Sequence, residues 1–327
     1  MTFVSDSDIS KAVEILRAGG LVAFPTETVY GLGADASNPA ALHRLYEAKG
    51  RPTSHPVIVH VRGASDLSRW ACEVPSVALL LTARFWPGPL TLVLKRASRV
   101  LDQVTGGEDT VGLRAPSHPV AQQLLQAFAG GIAAPSANLF GHLSPTTAEH
   151  VREELGDAVD LVLDGGACEV GIESTIIDLS SSAPVLLRLG RIGTAEIEAA
   201  AGLQVTRPTS RSPRAPGTLG AHYAPRIPLT LAAAADLERV VREQAGSGRV
   251  AVLARRPQPA DSRAALWQIA ATDAEAYAHD LYALLRALDS SGCARIVVEA
   301  PPERAEWDAV RDRLTRAAAG SGDANGT

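Results

Sequence analysis

Residues 207–226 constrain this chain more than any other stretch. Between Arg207 and Arg226 stand four prolines, four arginines and no acid. Each proline fixes φ and removes a backbone donor, so neither a helix nor a sheet strand can run through such a segment. It reads as a linker, and it parts a chain of 327 residues into two stretches that are each of ordinary domain size.

Before the linker the apolar periodicity switches between helix and strand patterns. Ile9, Ala12, Val13 and Leu16 recur at helical spacing over 8–18, and Gly19 with Gly20 stops the helix. Residues 21–24 read as a buried strand ended by Pro25. A helix over 39–49 opens with proline in its first turn and closes before Gly50, with Leu42, Leu45 and Tyr46 facing inward. Strands are predicted at 57–61, 90–94, 110–113, 132–134, 161–163, 174–179 and 185–189, and helices at 76–85, 119–129 and 147–155. Strands and helices do not alternate strictly, so residues 1–206 predict a layered, mixed α/β domain.

Beyond the linker the pattern is regular. Strand 228–232, helix 236–245, strands 250–254 and 265–270, helix 273–289, strand 295–299 and helix 305–317 follow in order. That order predicts a small open sheet of mainly parallel strands over 227–319. Residues 320–327 are small and polar and predict a frayed tail.

Several function classes are disfavoured by composition. Charged residues make up 20% of the chain and the formal net charge is −5, which argues against a general nucleic-acid binder that relies on Lys and Arg. The longest apolar run, Val77 to Leu81, is too short to span a bilayer, and the first residues lack the basic flank and apolar stretch of a signal peptide. A cytoplasmic protein without a membrane partner is expected. Cys72, Cys168 and Cys293 lie far apart, with no CxxC pair, so neither a disulfide framework nor a zinc ribbon is expected. No Walker phosphate loop, dinucleotide fingerprint or HExxH helix occurs, and no metal-ligating set is predicted.

Three clusters can carry chemistry. The first runs from Pro25 to Gly33 and sets Thr26, Glu27, Thr28 and Tyr30 at the carboxyl end of a strand. Hydroxyls there are placed to meet a ligand, although a polar turn would use the same residues. The second holds Lys49, Gly50, Arg51 and His55, then His60. Two cations at a glycine-hinged helix exit suit a polyphosphate, and they equally suit an ordinary helix C-terminus. In the first role, replacing either by alanine should cripple activity while costing no more than about 1 kcal/mol of stability, whereas a collapse in melting temperature would favour the second. The third holds Ser136 and Asn138 after a strand, followed by Ser144 and Thr146; it fits a cleft or an Asx turn.

Together these clusters are specific. The sequence resembles the threonylcarbamoyl-AMP synthase family, in its long, two-domain form. The family's KxR and SxN signature stands as Lys49-Gly50-Arg51 and Ser136-Ala137-Asn138. Around it are the PTET-YGLG segment at 25–33, SPTT at 144–147, the run from Glu173 to Asp178, and Leu187-Arg188-Leu189-Gly190. The likeness runs through residues 8–200. Ala215 to Gly217 and His222 to Pro225 look like the linker of the long form.

The resemblance implies an α/β fold: an N-terminal YrdC-like mixed α/β domain plus a smaller C-terminal Rossmann-like α/β domain. It implies condensation of L-threonine with bicarbonate or CO2, attack of the carbamate on ATP, and release of pyrophosphate. By similarity Lys49, Arg51, Ser136 and Asn138 are catalytic. Arg51, His55, Thr110, Asn138, Ser144, Thr146, Arg188 and Tyr223 surround ATP, with Mg²⁺ offsetting the triphosphate charge. Thr28, His60, Arg114, Ser136 and Ser174 surround threonine. Arg114 suits the carboxylate, and His60 is a candidate acceptor of the amine's proton. Segment 207–226 is then a candidate lid over the site. The product would pass to the machinery that modifies tRNAs reading ANN codons, with room for a weak RNA contact. Two rivals remain at this point: another carbamoyl transfer on the same module, and a noncatalytic double-stranded RNA-binding module.

Overall fold

A computed structural model describes residues 4–322. They cluster into two units, one holding the chain to Phe140 together with Ser144–Thr218, the other holding Gly141–Leu143 and the chain from Leu219 onward. The proline-rich segment therefore divides, its first part lying in the first unit and its second part in the other. Among the described residues no helix is long and apolar enough to cross a membrane.

The first unit is built from α1 (Asp6–Arg17), β1 (Val22–Phe24), β2 (Gly31–Asp35), α2 (Pro39–Lys49), β3 (Ile58–His60), α3 (Leu67–Trp70), α4 (Ser76–Phe85), β4 (Leu90–Lys95), α5 (Asp102–Thr105) and β5 (Thr110–Arg114). The chain continues through α6 (Pro119–Phe128), β6 (Ile132–Ala133), α7 (Ala148–Leu155), β7 (Leu161–Val162), β8 (Thr175–Asp178), β9 (Val185–Arg188) and α8 (Thr194–Ala201). The strands form one sheet in the order β7-β1-β2-β6-β3-β5-β4-β8-β9. Parallel pairs such as β3 with β5 are mixed with antiparallel ones such as β4 with β5. This is the mixed α/β sheet that irregular alternation predicts.

Side chains alternate across the sheet, and the two faces meet different partners. One face carries Ala23, Leu32, Val59, Leu92, Leu94, Val111, Leu113 and Ile177 into the main core, where α2, α4, α7 and α8 also bury residues. On the opposite face Val22, Phe24 and Ile132 pack against Ile9, Val13 and Leu16 of α1 and Leu124, Leu125 and Phe128 of α6. Each of these large side chains contributes roughly 1.5–3 kcal/mol on burial. Farther along the same face Ile58, Val93, Ile176 and Leu187 are covered by Ala215 from the proline-rich segment.

β2 and α8 are not predicted from periodicity. β2 holds two glycines and no β-branched residue, so it lacks a strand signature. The glycines are required by packing: a Cβ on Gly33 would lie 2.8 Å from Ile132 Cγ2 and 2.9 Å from the Phe24 ring. α8 is a short, alanine-rich helix with few apolar markers beyond Ile197.

The second unit contains β10 (Leu229–Ala232), α9 (Leu237–Ala245), β11 (Val250–Ala254), β12 (Leu266–Ile269), α10 (Ala274–Asp289), β13 (Arg295–Glu299) and α11 (Asp308–Gly320). Its sheet has the order β10-β13-β11-β12, and every pair is parallel, as expected from the alternating pattern. α11 runs to Gly320, so the expected tail from 320 starts at a helix end, and residues 323–327 lie outside the described residues.

Candidate active site

α2 delivers the first cations. Asn38 caps it, its side chain accepting from the amides of Ala40 and Ala41, and Gly50 ends it in the left-handed region at φ 57°. That conformation, which glycine adopts without strain, turns the chain so that Lys49 and Arg51 point from one hinge. Lys49 is 2% exposed. Its ammonium donates to the carbonyls of Ser136, at 2.5 Å, and Asn138. The KxR and SxN elements thus meet directly. Burial, and then the neighbouring Arg51, hold the Lys49 ammonium well below the ordinary lysine value. Arg51 Nη2 donates to Pro56 O at 2.8 Å, and its guanidinium lies 5.4 Å from the Phe140 ring, against which His55 also sits edge-on.

A second group stands on the sheet face that carries Phe24 and Ile58. β3 and β5 pair in parallel, His60 beside Arg114, so both side chains emerge on that face. Arg114 Nη1 donates to Thr28 Oγ1 at 2.8 Å, and its Nη2 lies 2.8 Å from Glu27 Oε1, both side chains being almost wholly buried. Glu27 Oε2 also accepts from the Ser117 amide at 3.0 Å. Thr28 Oγ1 and Thr26 Oγ1 are 2.8 Å apart. His60 meets the Phe24 ring edge-on, and its Nδ1 is buried without a hydrogen-bond partner. Burial and then Arg114 push its pKa down to about 3.

The third group is at β8 and β9. Arg188 donates from Nε to Ser174 O and from Nη2 to Ser174 Oγ, each at 3.0 Å, and from Nη1 to Pro216 O at 2.9 Å. Ser174 Oγ lies 2.8 Å from Thr91 Oγ1. Ser144 Oγ donates to Glu173 Oε1 at 2.5 Å. Thr146 is buried beside His150, and Thr110 opens β5.

Direct contacts thus link Lys49 with Ser136 and Asn138, Thr28 with Arg114, and Ser174 with Arg188. Tyr223 is instead placed in the second unit, where Arg313 lies 5.1 Å from its ring and Tyr282 packs at 5.9 Å. Glu27, Glu173 and Thr91 are polar contacts in these groups that carried no expected role. Both carboxylates lie inside the motifs named above, and an acid next to a hydroxyl residue was the available signal. Lys49, Arg51, Arg114 and Arg188 are the buried basic side chains of these groups, and Arg114 is paired with the buried Glu27. Among the described residues no three His, Cys, Asp or Glu side chains cluster as a metal cage. Cys168 is buried, and burial pushes its thiol up, consistent with a packing role.

Two family models match the chain. One described as telomere recombination, covering the Sua5, YciO and YrdC proteins, spans residues 14–190; one described as the C-terminal domain of threonylcarbamoyl-AMP synthase spans 192–319. The chain is 39% identical to the threonylcarbamoyl-AMP synthase of Bacillus subtilis, over 97% of this chain and 94% of that protein. It is 38% identical to the Pyrococcus abyssi threonylcarbamoyl-AMP synthase, over 96% and 95%. The crystal structure of P. abyssi Sua5 complexed with L-threonine superposes with a TM-score of 0.90 at 36% identity, covering 98% of this chain and 96% of that one. Likeness of this extent runs through both domains, and the chain belongs to the threonylcarbamoyl-AMP synthase family.

Proposed function

We propose that this protein is an L-threonylcarbamoyladenylate synthase, a nucleotidyltransferase that uses L-threonine, bicarbonate or CO2, and ATP. The observation that carries this reading is the full-length likeness to a protein crystallised with L-threonine. The buried arginines and hydroxyls on one sheet face support it. In the reaction the threonine ammonium first gives a proton to solvent, and the neutral nitrogen then bonds to the carbon of CO2 and loses a second proton to solvent. A carbamate oxygen then attacks the α-phosphorus of ATP, the bond to the bridging oxygen breaks, and pyrophosphate leaves.

The residue roles follow from chemistry. Arg114, already fixed by Glu27 and Thr28, offers a guanidinium to the threonine carboxylate. Thr28, Ser136 and Ser174 are the hydroxyl-bearing residues around the amino acid. Lys49, Arg51, His55, Thr110, Asn138, Ser144, Thr146 and Arg188 surround the nucleotide, and Tyr223 completes the assignment. With its pKa pushed down to about 3, His60 is neutral at physiological pH. It is too weak a base to hold the ammonium proton, so it serves better as a hydrogen-bond acceptor. No residue in the set is arranged as a covalent nucleophile, and positioning with electrostatic stabilisation supplies the rate. Mg²⁺ bound to ATP would neutralise part of the triphosphate charge.

Around this core stand coarser proposals. The catalytic domain is 1–206, the linker and candidate lid 207–226, and the C-terminal domain 227–319. The product is labile and passes to a separate transfer machinery acting on tRNAs that read ANN codons, in the cytoplasm, with a weak RNA contact at most. The test is product analysis. AMP and pyrophosphate should form from ATP only when threonine and bicarbonate are both present. Turnover independent of threonine, or release of ADP and phosphate, would remove this assignment and favour another carbamoyl transfer or no catalysis.

A further inference from the structure

Open parallel sheets bind ligands outside the carboxyl ends of their strands, where two neighbouring strands send their following connections in opposite directions. The second unit has such a point between β11 and β13. The chain leaves β11 for β12 on one side, while α11, which follows β13, packs against β10 on the other.

The residues at this point are charged and incompletely satisfied. Arg255 and Arg256 leave β11, and Glu299 ends β13. Arg255 is anchored through its amide to Glu299 Oε2 at 2.9 Å, and through Nη2 to Glu299 Oε1 at 2.8 Å and Ala300 O at 3.0 Å. Arg256 reaches the other way, Nη2 donating to Ala234 O at 2.9 Å in the turn between β10 and α9. The two guanidiniums thus reach to different strand ends around the crevice, each fixed by one nitrogen. Nε of both is buried without a hydrogen-bond partner. Behind Arg255 stands Trp307, with the guanidinium 5.5 Å from its ring, and Tyr277 meets Trp307 edge-on at 5.4 Å. The Tyr277 side chain is 1% exposed and its hydroxyl, too, has no partner. A buried donor left unpaired costs about 1–3 kcal/mol, and Arg255, Arg256 and Tyr277 each hold one. No side chain caps the first turn of α9, whose amides also face the carboxyl edge.

We propose that the crevice between the ends of β11 and β13 is a second binding site, taking the phosphate group of a small molecule. Arg255 and Arg256 supply its charge and Tyr277 a neutral donor. A tetrahedral phosphate, with several acceptor oxygens facing different directions, suits donors arriving from separate elements better than a planar carboxylate does. Glu299 holds Arg255 in place rather than filling the site, because it engages only the amide and Nη2.

The experiment uses the full chain and hydrogen–deuterium exchange of peptides covering 254–265 and 299–307. Inorganic phosphate at millimolar concentration should slow exchange in both peptides several-fold. Acetate at the same concentration should not. Arg256→Ala should abolish the slowing while peptides of the first unit exchange as in the unmodified protein, and Tyr277→Phe, which keeps the ring, should weaken it. Unchanged exchange with phosphate, equal slowing in Arg256→Ala, or equal slowing by acetate would each overturn the proposal.

Discussion

Lys49 carries its ammonium into the protein and gives two of its donors to the carbonyls of Ser136 and Asn138. That geometry revises the mild stability cost expected of a helix-terminal cation. Lys49→Ala strands two carbonyls, so it should lower stability by about 1–3 kcal/mol, the range for buried polar groups that lose a partner. Denaturant titration of Lys49→Ala beside Lys49→Met, which refills the volume without restoring a donor, measures it; a loss confined to the alanine variant would assign the effect to packing. His60 provides a different residue-scale test. Burial, and then Arg114, depress its folded pKa to about 3, below the ordinary histidine value near 6.5. A neutral buried histidine contributes stability that is present above the unfolded pKa and lost as pH falls toward the folded one. Between pH 7 and pH 5 the protein should therefore lose about 2 kcal/mol more than His60→Gln, at roughly 1.4 kcal/mol per pH unit once below 6.5. Parallel pH dependences in the two proteins would exclude His60 as the source.

β2 shows what could and could not be read from the sequence. Elements with clear periods, such as α1, α6 and the alternating strands and helices of the second unit, were legible because burial follows chain spacing there. β2 was not, because its glycines record a contact with Phe24 and Ile132 that only the folded sheet creates. The motif containing it was visible as a polar turn, and its roles came from family resemblance. The pairing of Arg114 with Glu27 was hidden for the same reason: the two are far apart in sequence, and no local pattern pairs them. Gly33→Ala should accordingly destabilise the protein by about 1–3 kcal/mol, as overpacking of a close-packed core does. Melting curves of Gly33→Ala beside Gly50→Ala would locate the cause, since Gly50 has open space for a Cβ but a left-handed backbone. A harmless Gly33→Ala would mean that β2 shifts to make room.

At the scale of the whole molecule, the proline-rich segment belongs to both units. Its first part is held to the sheet: Arg188 donates to Pro216 O, Arg214 pairs with Glu108, and Ala215 is buried. Replacing 207–226 with a Gly/Ser chain of equal length should lower product yield and weaken ATP binding while both units stay folded. Limited proteolysis in this segment should slow once ATP and threonine are added. Unchanged kinetics together with unchanged cleavage would make it a simple tether. The sheet of the first unit has a wider consequence. Along β3, β4, β5 and β8 one set of alternate positions fills the core, and the other carries His60, Arg114, Thr91 and their neighbours. Neighbouring codons therefore answer to different selective demands. A saturation scan should separate into two interleaved phases with a period of two: substitutions at Val59, Leu92 and Leu113 depleting cellular protein abundance, those at His60, Thr91 and Arg114 sparing abundance more and depressing turnover. A scan in which abundance and turnover fell together at every position would show that the two sides of the sheet evolve as one.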